Sequence, residues 1–369
     1  MSTDTVKNWA FHSLRMGLRL DVQNMRLSAR PRRRSEFHRS YIMIREVTGV
    51  TRIRMLYLQL LYRCNFACKH CFHGEMLKAD DRYAPGEVNA LLTHFRERYA
   101  LQAVTFLGGE PLLYPDIVEV GRDARALGLG VEICTNGHIG FLDRLEGVAP
   151  YLAKLRVSLE GLRETNDHIR QRGSFASAFR TIAVARSFDV TVGATMTVTA
   201  LNVGEVVPLA RLLERYGVAE LKLHCLRPVG NATGHPELFV VDETSYAGLH
   251  ERIDAAELSI DVRYDAELAP DRQASQGPPG NGGHLERVEV DPRGGLTMSC
   301  KAVGRHAHAF RWDTTAQTVR YEPHSNDEGC RSSGGTRFGV EADDWSCGED
   351  AGVFVSGVVD ALLFLVEVP

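Results

Sequence analysis

Between residues 55 and about 227, short apolar runs alternate with amphipathic stretches, and this alternation leaves few folds open. The strand-like runs are Met55–Leu61, Ala103–Leu107, Val131–Cys134, Leu155–Leu159, Val190–Val198 and Glu220–Leu226, each rich in Val, Leu, Ile or Thr. Pro85-Gly-Glu87 opens a helix to about Tyr99, with Val88, Leu91, Leu92 and Phe95 at helical spacing. Pro115-Asp116 opens a second, closed by Gly128 and Gly130, and Phe175–Phe188 and Val203–Tyr216 fit two more. Strand–helix repeats of this kind place strands in parallel through right-handed crossovers. The expected fold is α/β, a partial (β/α)6 TIM-like barrel with a small C-terminal α+β extension. A closed eightfold barrel is disfavoured because the alternation stops near residue 227.

The first strand runs into Cys64-Asn-Phe-Ala-Cys68-Lys-His-Cys71, three cysteines spaced C-x3-C-x2-C. Strand carboxyl ends are where open α/β sheets bind ligands. An iron–sulfur cube normally takes four cysteine ligands, so three leave one iron open for chemistry. Other uses fit less well. A structural zinc site wants four N or S ligands, commonly as two pairs, and no second pair lies near, although His70 and His73 are close. A disulfide would strand one thiol and suits a secreted chain. Inert buried cysteines need no regular spacing.

Later strand ends carry polar and glycine-rich residues too. Strand two ends in Gly108-Gly109-Glu110-Pro111, strand three in Thr135-Asn136-Gly137, strand four in Ser158-Leu-Glu160-Gly161. Paired glycines permit close backbone approach, and an adjacent carboxylate can receive an ammonium group. All four strand ends fall on one rim.

Beyond the barrel the chain changes texture. Residues 1–54 hold twelve Lys/Arg against four Asp/Glu, including Arg30-Pro-Arg-Arg-Arg34, and read as a basic, solvated extension. The whole chain of 369 residues carries a formal charge of −4, which gives no general reason to expect a nucleic-acid partner. No apolar segment with a cleavage site opens the chain, and Ala351–Pro369 is broken by Asp360 and Glu367, so neither secretion nor a membrane span is expected. Eight cysteines without paired spacings suit a reducing cytoplasm. Residues 231–284 read as a helix (Glu243–Glu257) and a linker (Ala269–Gly283). Residues 285–369 read as hairpins, with Val288-Glu-Val290, a turn at Asp291–Gly295 and Leu296–Cys300 in the first, and His308–Trp312 with Val319–Tyr321 in the second.

The combination of Cys64-x3-Cys68-x-His70-Cys71, Gly108-Gly109-Glu110-Pro111, Thr135-Asn136-Gly137 and Ser158-Leu-Glu-Gly161 resembles the radical S-adenosylmethionine (SAM) superfamily over residues 55–230. The resemblance implies a [4Fe–4S] cluster on Cys64, Cys68 and Cys71, with SAM chelated to the open iron and cleaved to a 5′-deoxyadenosyl radical that takes hydrogen from a substrate. It implies His70 near the adenine, Gly108, Gly109 and Glu110 at the methionine ammonium, and Asn136, Ser158 and Arg170 as further cofactor contacts, with Arg172 nearby. Glu160 stands where the family usually has aspartate. Arg227-Pro-Val-Gly-Asn-Ala232 resembles the exit of the sixth strand. Residues 285–369 resemble a degenerate SPASM or twitch extension: Gly295-x4-Cys300 fits one piece, but the upstream cysteine is replaced by the Gly280–His284 stretch and only Cys330 and Cys347 remain. One cluster is therefore expected, not two.

Three functions stay in view. The first is a radical enzyme on a small molecule, such as a sugar or nucleoside intermediate of antibiotic biosynthesis, with a decarboxylase- or lyase-type outcome similar to cytosylglucuronate decarboxylases. It would draw electrons from a flavodoxin or ferredoxin. The second is a peptide-modifying maturase, and the third a non-enzymatic metal-binding protein.

Overall fold

The computed structural model describes residues 51–239, 246, 248–265, 268, 284–297 and 310–321. The chain divides into two units, 51–318, and 1–50 together with 319–369. Of the second, only 319–321 is described, as extended chain. The first unit carries the cysteine loop and the other strand-end motifs.

Its strands are β1 (Arg52–Gln59), β2 (Ala103–Leu107), β3 (Gly130–Thr135), β4 (Lys154–Ser158), β5 (Thr191–Val198), β6 (Glu220–Cys225), β7 (Asp261–Tyr264), β8 (His284–Val290), β9 (Gly295–Thr297) and β10 (Phe310–Asp313). They form one sheet in the order β10-β9-β8-β1-β2-β3-β4-β5-β6-β7, parallel from β8 through β1 to β7. Consecutive neighbours β1 to β6 are the partial barrel that the alternation predicts, and the sheet does not close. The helices are α1 (Pro85–Tyr99), α2 (Ile117–Ala126), α3 (Leu142–Val148), α4 (Arg163–Ile169), α5 (Ser174–Ser187), α6 (Val206–Arg215) and α7 (Leu249–Ala255). α1 begins where the sequence places it, because Pro85 sits at its first turn and the Glu87 carboxylate accepts the Ala84 N–H at 2.8 Å.

Three elements differ from the sequence reading. β1 starts at Arg52, inside the stretch read as an extension, with Ile53 and Met55 already buried between exposed arginines. β7 adds a seventh parallel strand beside β6, and its charged Asp261-Val-Arg-Tyr264 hides it from any search for apolar runs. β8 pairs in parallel with β1, so the first arm of the expected hairpin extends the barrel sheet while β9 folds back antiparallel to it. The expected helix Glu243–Glu257 is described only as α7, and 1–50, 269–283 and 322–369 lie outside the described residues.

The two faces of the sheet differ sharply. Leu56, Leu58, Val104, Phe106, Val131, Ile133, Leu155, Val157, Ala194, Met196, Leu221 and Leu223 are fully buried and alternate with a second set. Side chains alternate across a strand, so Tyr57, Gln59, Thr105, Glu132, Cys134, Arg156, Ser158, Thr195, Thr197, Lys222, His224 and Glu289 share the other, polar face. Toward the strands' amino ends this face is closed by ion pairs. Arg156 meets Glu132 at 3.1 Å and also Glu220, which Lys154 approaches at 3.2 Å and Arg263 at 3.4 Å. Burial pushes the Glu220 carboxyl up, but these cations hold it below the usual range. Polarity rises toward the carboxyl ends, where the motif residues gather.

Candidate active site

The cysteine loop is held at its root by three backbone bonds. Tyr83 N donates to Leu60 O at 3.1 Å, Gly109 N to Leu61 O at 2.9 Å, and Glu110 N to Arg63 O at 2.9 Å. This is what the paired glycines are for: a Cβ on Gly109 would lie 2.0 Å from Arg63 O, and one on Gly108, at φ +147°, 2.3 Å from Leu61 O. They admit the backbone of the loop. Further along, Lys69 N donates to Ile169 O at 2.9 Å, Asn231 N to Cys71 O at 2.8 Å, and Asn231 Nδ2 to Cys68 O at 3.0 Å. Gly230, at φ +63°, allows the approach to Cys71, since a Cβ there would fall 2.2 Å from Cys71 O. A cavity of about 550 Å³ opens beside the third cysteine, between His73–Met76 and Gly230–Gly234.

Cys68 is buried, and Cys64 and Cys71 are partly so. Burial pushes the Cys64 thiol up to about 12 and Cys68 to about 11, against help from the Phe66 N–H and from Arg170 respectively. Thiols so disfavoured as anions gain most from a cationic partner that displaces their protons. The Phe66 N–H lies 3.4 Å from Cys64 Sγ and Asn136 Nδ2 lies 3.8 Å from it, donors suited to a thiolate. Among the described residues no three His, Cys, Asp or Glu side chains converge as ligands of a single ion would. Separated thiols on one short loop fit a multi-iron cube, whose ligands bind at different corners, better than one zinc.

Glu110 is fully buried and its carboxylate turns into the protein: Oε1 accepts from Leu112 N at 2.9 Å and Thr135 Oγ1 at 2.7 Å, Oε2 from Asn136 N at 2.7 Å. Burial raises its carboxyl, with these three donors opposing. It ties strand end two to strand end three. Asn136 in turn donates to Asn65 Oδ1 at 2.8 Å, which brings the third strand end onto the cysteine loop.

Glu160 gathers the remaining motif residues. Its Oε1 receives Arg170 Nη2 at 2.7 Å and lies 3.2 Å from His70 Nε2, and its Oε2 receives Thr197 N at 2.7 Å. The longer glutamate, in place of aspartate, spans from β4 to the cysteine loop. His70 is held below its usual range by burial first, against the pull of Glu160 and with Arg170 adding. Ser158 accepts from Thr195 Oγ1 at 3.3 Å on the polar face. Arg172 is exposed and joins none of this.

Two arrangements were not foreseen: the contacts of His73, which sequence reasoning noted only as close to the cysteines, and the placement of His224. His73 sits 3.9 Å by Nδ1 from Cys71 Sγ and bonds Gln59 Oε1 through Nε2 at 2.9 Å. At the end of β6, His224 Nδ1 lies 3.1 Å from Asp265 Oδ2, near enough to His70 for their charges to interact. The alternation Glu-Leu-Lys-Leu-His in β6 is the signal that would have exposed His224, because period-two polarity marks a strand with one wet face. Cys300, Cys330 and Cys347 lie outside the described residues.

The parallel sheet thus carries three free thiols on the loop after its first strand. Residues 58–213 match the family described as the Radical SAM superfamily. Over those residues the chain is similar to radical SAM proteins, a family that uses a [4Fe–4S] cluster and SAM. Mycofactocin maturase MftC of Mycobacterium ulcerans (strain Agy99) is 35% identical over 181 residues, 47% of each chain. Fe-coproporphyrin III synthase of Methanosarcina barkeri (strain Fusaro / DSM 804) is 29% identical over 178 residues, 46% of this chain and 43% of that one. The chain spans about half the length of the curated relatives it matches. In structure it resembles SuiB of Streptococcus suis, solved with S-adenosylmethionine and with the precursor peptide SuiA. Each comparison gives a TM-score of 0.58 at 14% identity, covering 70% of this chain and 62% of that one, a likeness of fold. No described helix is long and apolar enough to cross a membrane.

Proposed function

We propose that Cys64, Cys68 and Cys71 hold the cluster and that the polar sheet face beneath them receives a small polar substrate. The carrying observation is the convergence of three strand ends on the cysteine loop through Gly109, Glu110, Asn136 and the His70–Glu160–Arg170 group. When bound, cluster and SAM supply reductive cleavage of the sulfonium and a radical able to abstract hydrogen; the protein orients and shields that chemistry. Glu110 and Asn136 hold the rim rigid, while Asn231 and Gly230 keep the loop closed against the sixth strand. Gly108, Gly109, Glu110, His70, Asn136, Ser158 and Arg170 line the cofactor side in this reading. Arg170 stays in its ion pair with Glu160 until an anionic group competes for it.

Thr195, Thr197, Lys222 and His224 offer hydroxyl, ammonium and imidazole groups at the carboxyl end of the polar face, which supports a sugar- or nucleoside-like metabolite. The similarity to cytosylglucuronate decarboxylases supports a decarboxylase- or lyase-type outcome in antibiotic biosynthesis, in the cytoplasm, with flavodoxin or ferredoxin as reductant. A second reading, a peptide-modifying maturase, is favoured by the similarity to mycofactocin maturase. Anaerobic reconstitution tests the shared core. A brown protein with about four irons that releases 5′-deoxyadenosine under dithionite supports it, and a colourless zinc-loaded protein that leaves SAM intact would sink it. Deuterium transfer into 5′-deoxyadenosine from labelled nucleoside-sugars, and not from peptides, decides between the substrates.

A further inference from the structure

A buried chain of side chains runs from the third cysteine to β8, a strand beyond the segment matched by the family. Glu289 is 2% exposed and Gln59 is fully buried. Gln59 Nε2 donates to Glu289 Oε1 at 2.6 Å. When ionised, Glu289 only accepts, so it fixes the amide with its oxygen turned the other way, toward His73 Nε2 at 2.9 Å. That nitrogen must then carry the hydrogen and donate. The opposite ring nitrogen, Nδ1, faces Cys71 Sγ at 3.9 Å with its lone pair.

We propose that Glu289 and Gln59 are positioning residues for the cluster: they fix the His73 ring so that it presents a lone pair rather than an N–H to the Cys71 sulfur, which keeps the cluster more strongly reducing. The backbone N–H groups of His73 and Gly74 donate to that sulfur, so the ring is the additional donor that the fold withholds. Hydrogen bonds to the sulfurs set the potential of an iron–sulfur centre, because a donor stabilises the extra negative charge of the reduced state. Residues behind the ligands exert this control by orienting what touches them. Withholding a donor at Cys71 therefore favours electron transfer out of the cluster. The inference rests on the reading that the cluster sits on Cys64, Cys68 and Cys71.

The test uses the reconstituted full-length protein, with iron content, the electron paramagnetic resonance signal of the reduced cluster, and its midpoint potential as readouts. Gln59→Leu leaves Nε2 without an acceptor and frees the ring to place its hydrogen on Nδ1. The reduced-to-oxidised ratio at a given potential should rise at least tenfold, which is 59 mV for one electron. Glu289→Gln lets the Gln59 amide turn over and should shift the potential in the same direction by less. In a His73→Phe background both shifts should vanish. Arg293→Gln, on the same hairpin but paired with Asp81 at 3.0 Å, should leave the potential alone. Unchanged potentials at full iron content would overturn the proposal. A shift that persists with His73→Phe, or that Arg293→Gln reproduces, would overturn it too. So would loss of iron from Gln59→Leu while His73→Phe loads normally. A wild-type protein that binds no cluster at all defeats the cluster assignment instead.

Discussion

Replacing Glu160 with glutamine tests the central polar group of the site in the metal-free chain. Arg170 and Thr197 N donate to this carboxylate and His70 Nε2 lies 3.2 Å from it, whereas glutamine offers one acceptor oxygen and a new N–H2. Whichever way the amide turns, at least one buried donor faces another donor. The larger loss is ionic: the side chains of Arg170 and Glu160 are 8% and 2% exposed, so the substitution leaves a buried guanidinium without its counter-charge. Breaking a buried pair from one side costs about 3–5 kcal/mol. With a urea dependence of about 3 kcal/mol/M, the midpoint should fall by about 1 to 1.7 M, followed by far-UV circular dichroism under reducing conditions. The double variant Glu160→Gln, Arg170→Met removes both members and should recover most of that loss, because an apolar replacement of similar volume is often neutral. A single variant that falls by less than about 0.3 M, or a double variant weaker than the single, would refute the reasoning.

Gly109→Ala sets its methyl against the carbonyls of Arg63 and Tyr62, backbone atoms that cannot step aside, so iron incorporation should fall severalfold while far-UV dichroism stays near wild type. Cys64→Ala, Cys68→Ala and Cys71→Ala should each abolish cluster assembly and 5′-deoxyadenosine release, whereas Cys134→Ala and Cys225→Ala should retain both, as read by iron assay and chromatography. Burial raises the Glu289 carboxyl to about 7 from an ordinary 4.5, with the Gln59 donor opposing. Its contribution to stability is complete below 4.5 and lost as pH rises through 7, so urea midpoints should decline across that window and Glu289→Gln should flatten the decline. Cluster loading displaces protons from thiols held near 11 and 12, so it should acidify a weakly buffered solution, and loading should improve as pH rises from 7 to 8.5.

Much of this was legible because it is local. The strands that bury one apolar side, the proline and glutamate that start α1, and the three cysteines on one loop are each written within a dozen residues. The strand ends could be assigned to one rim because parallel strands with right-handed crossovers leave no other place for them. β7 was hidden because an edge strand needs less apolar sequence, and the pairing of β8 with β1 was hidden because it is made by backbone. The roles of Gly108 and Glu110 were also hidden, since a glycine admits a ligand or a neighbouring loop equally well, and a carboxylate receives any donor that reaches it.

The sequence by itself determined a βα-repeat fold, a thiol loop at the first strand end and a ring of polar strand ends, all set by short-range pattern and chirality. Only the tertiary structure decided that Glu160 gathers His70 and Arg170, that His224 meets Asp265, and that a strand more than two hundred residues downstream reaches Cys71 through Gln59 and His73. Those contacts depend on which faces the curved sheet turns toward one another. Side-chain partners across such distances follow from packing and register, which no local stretch of sequence contains.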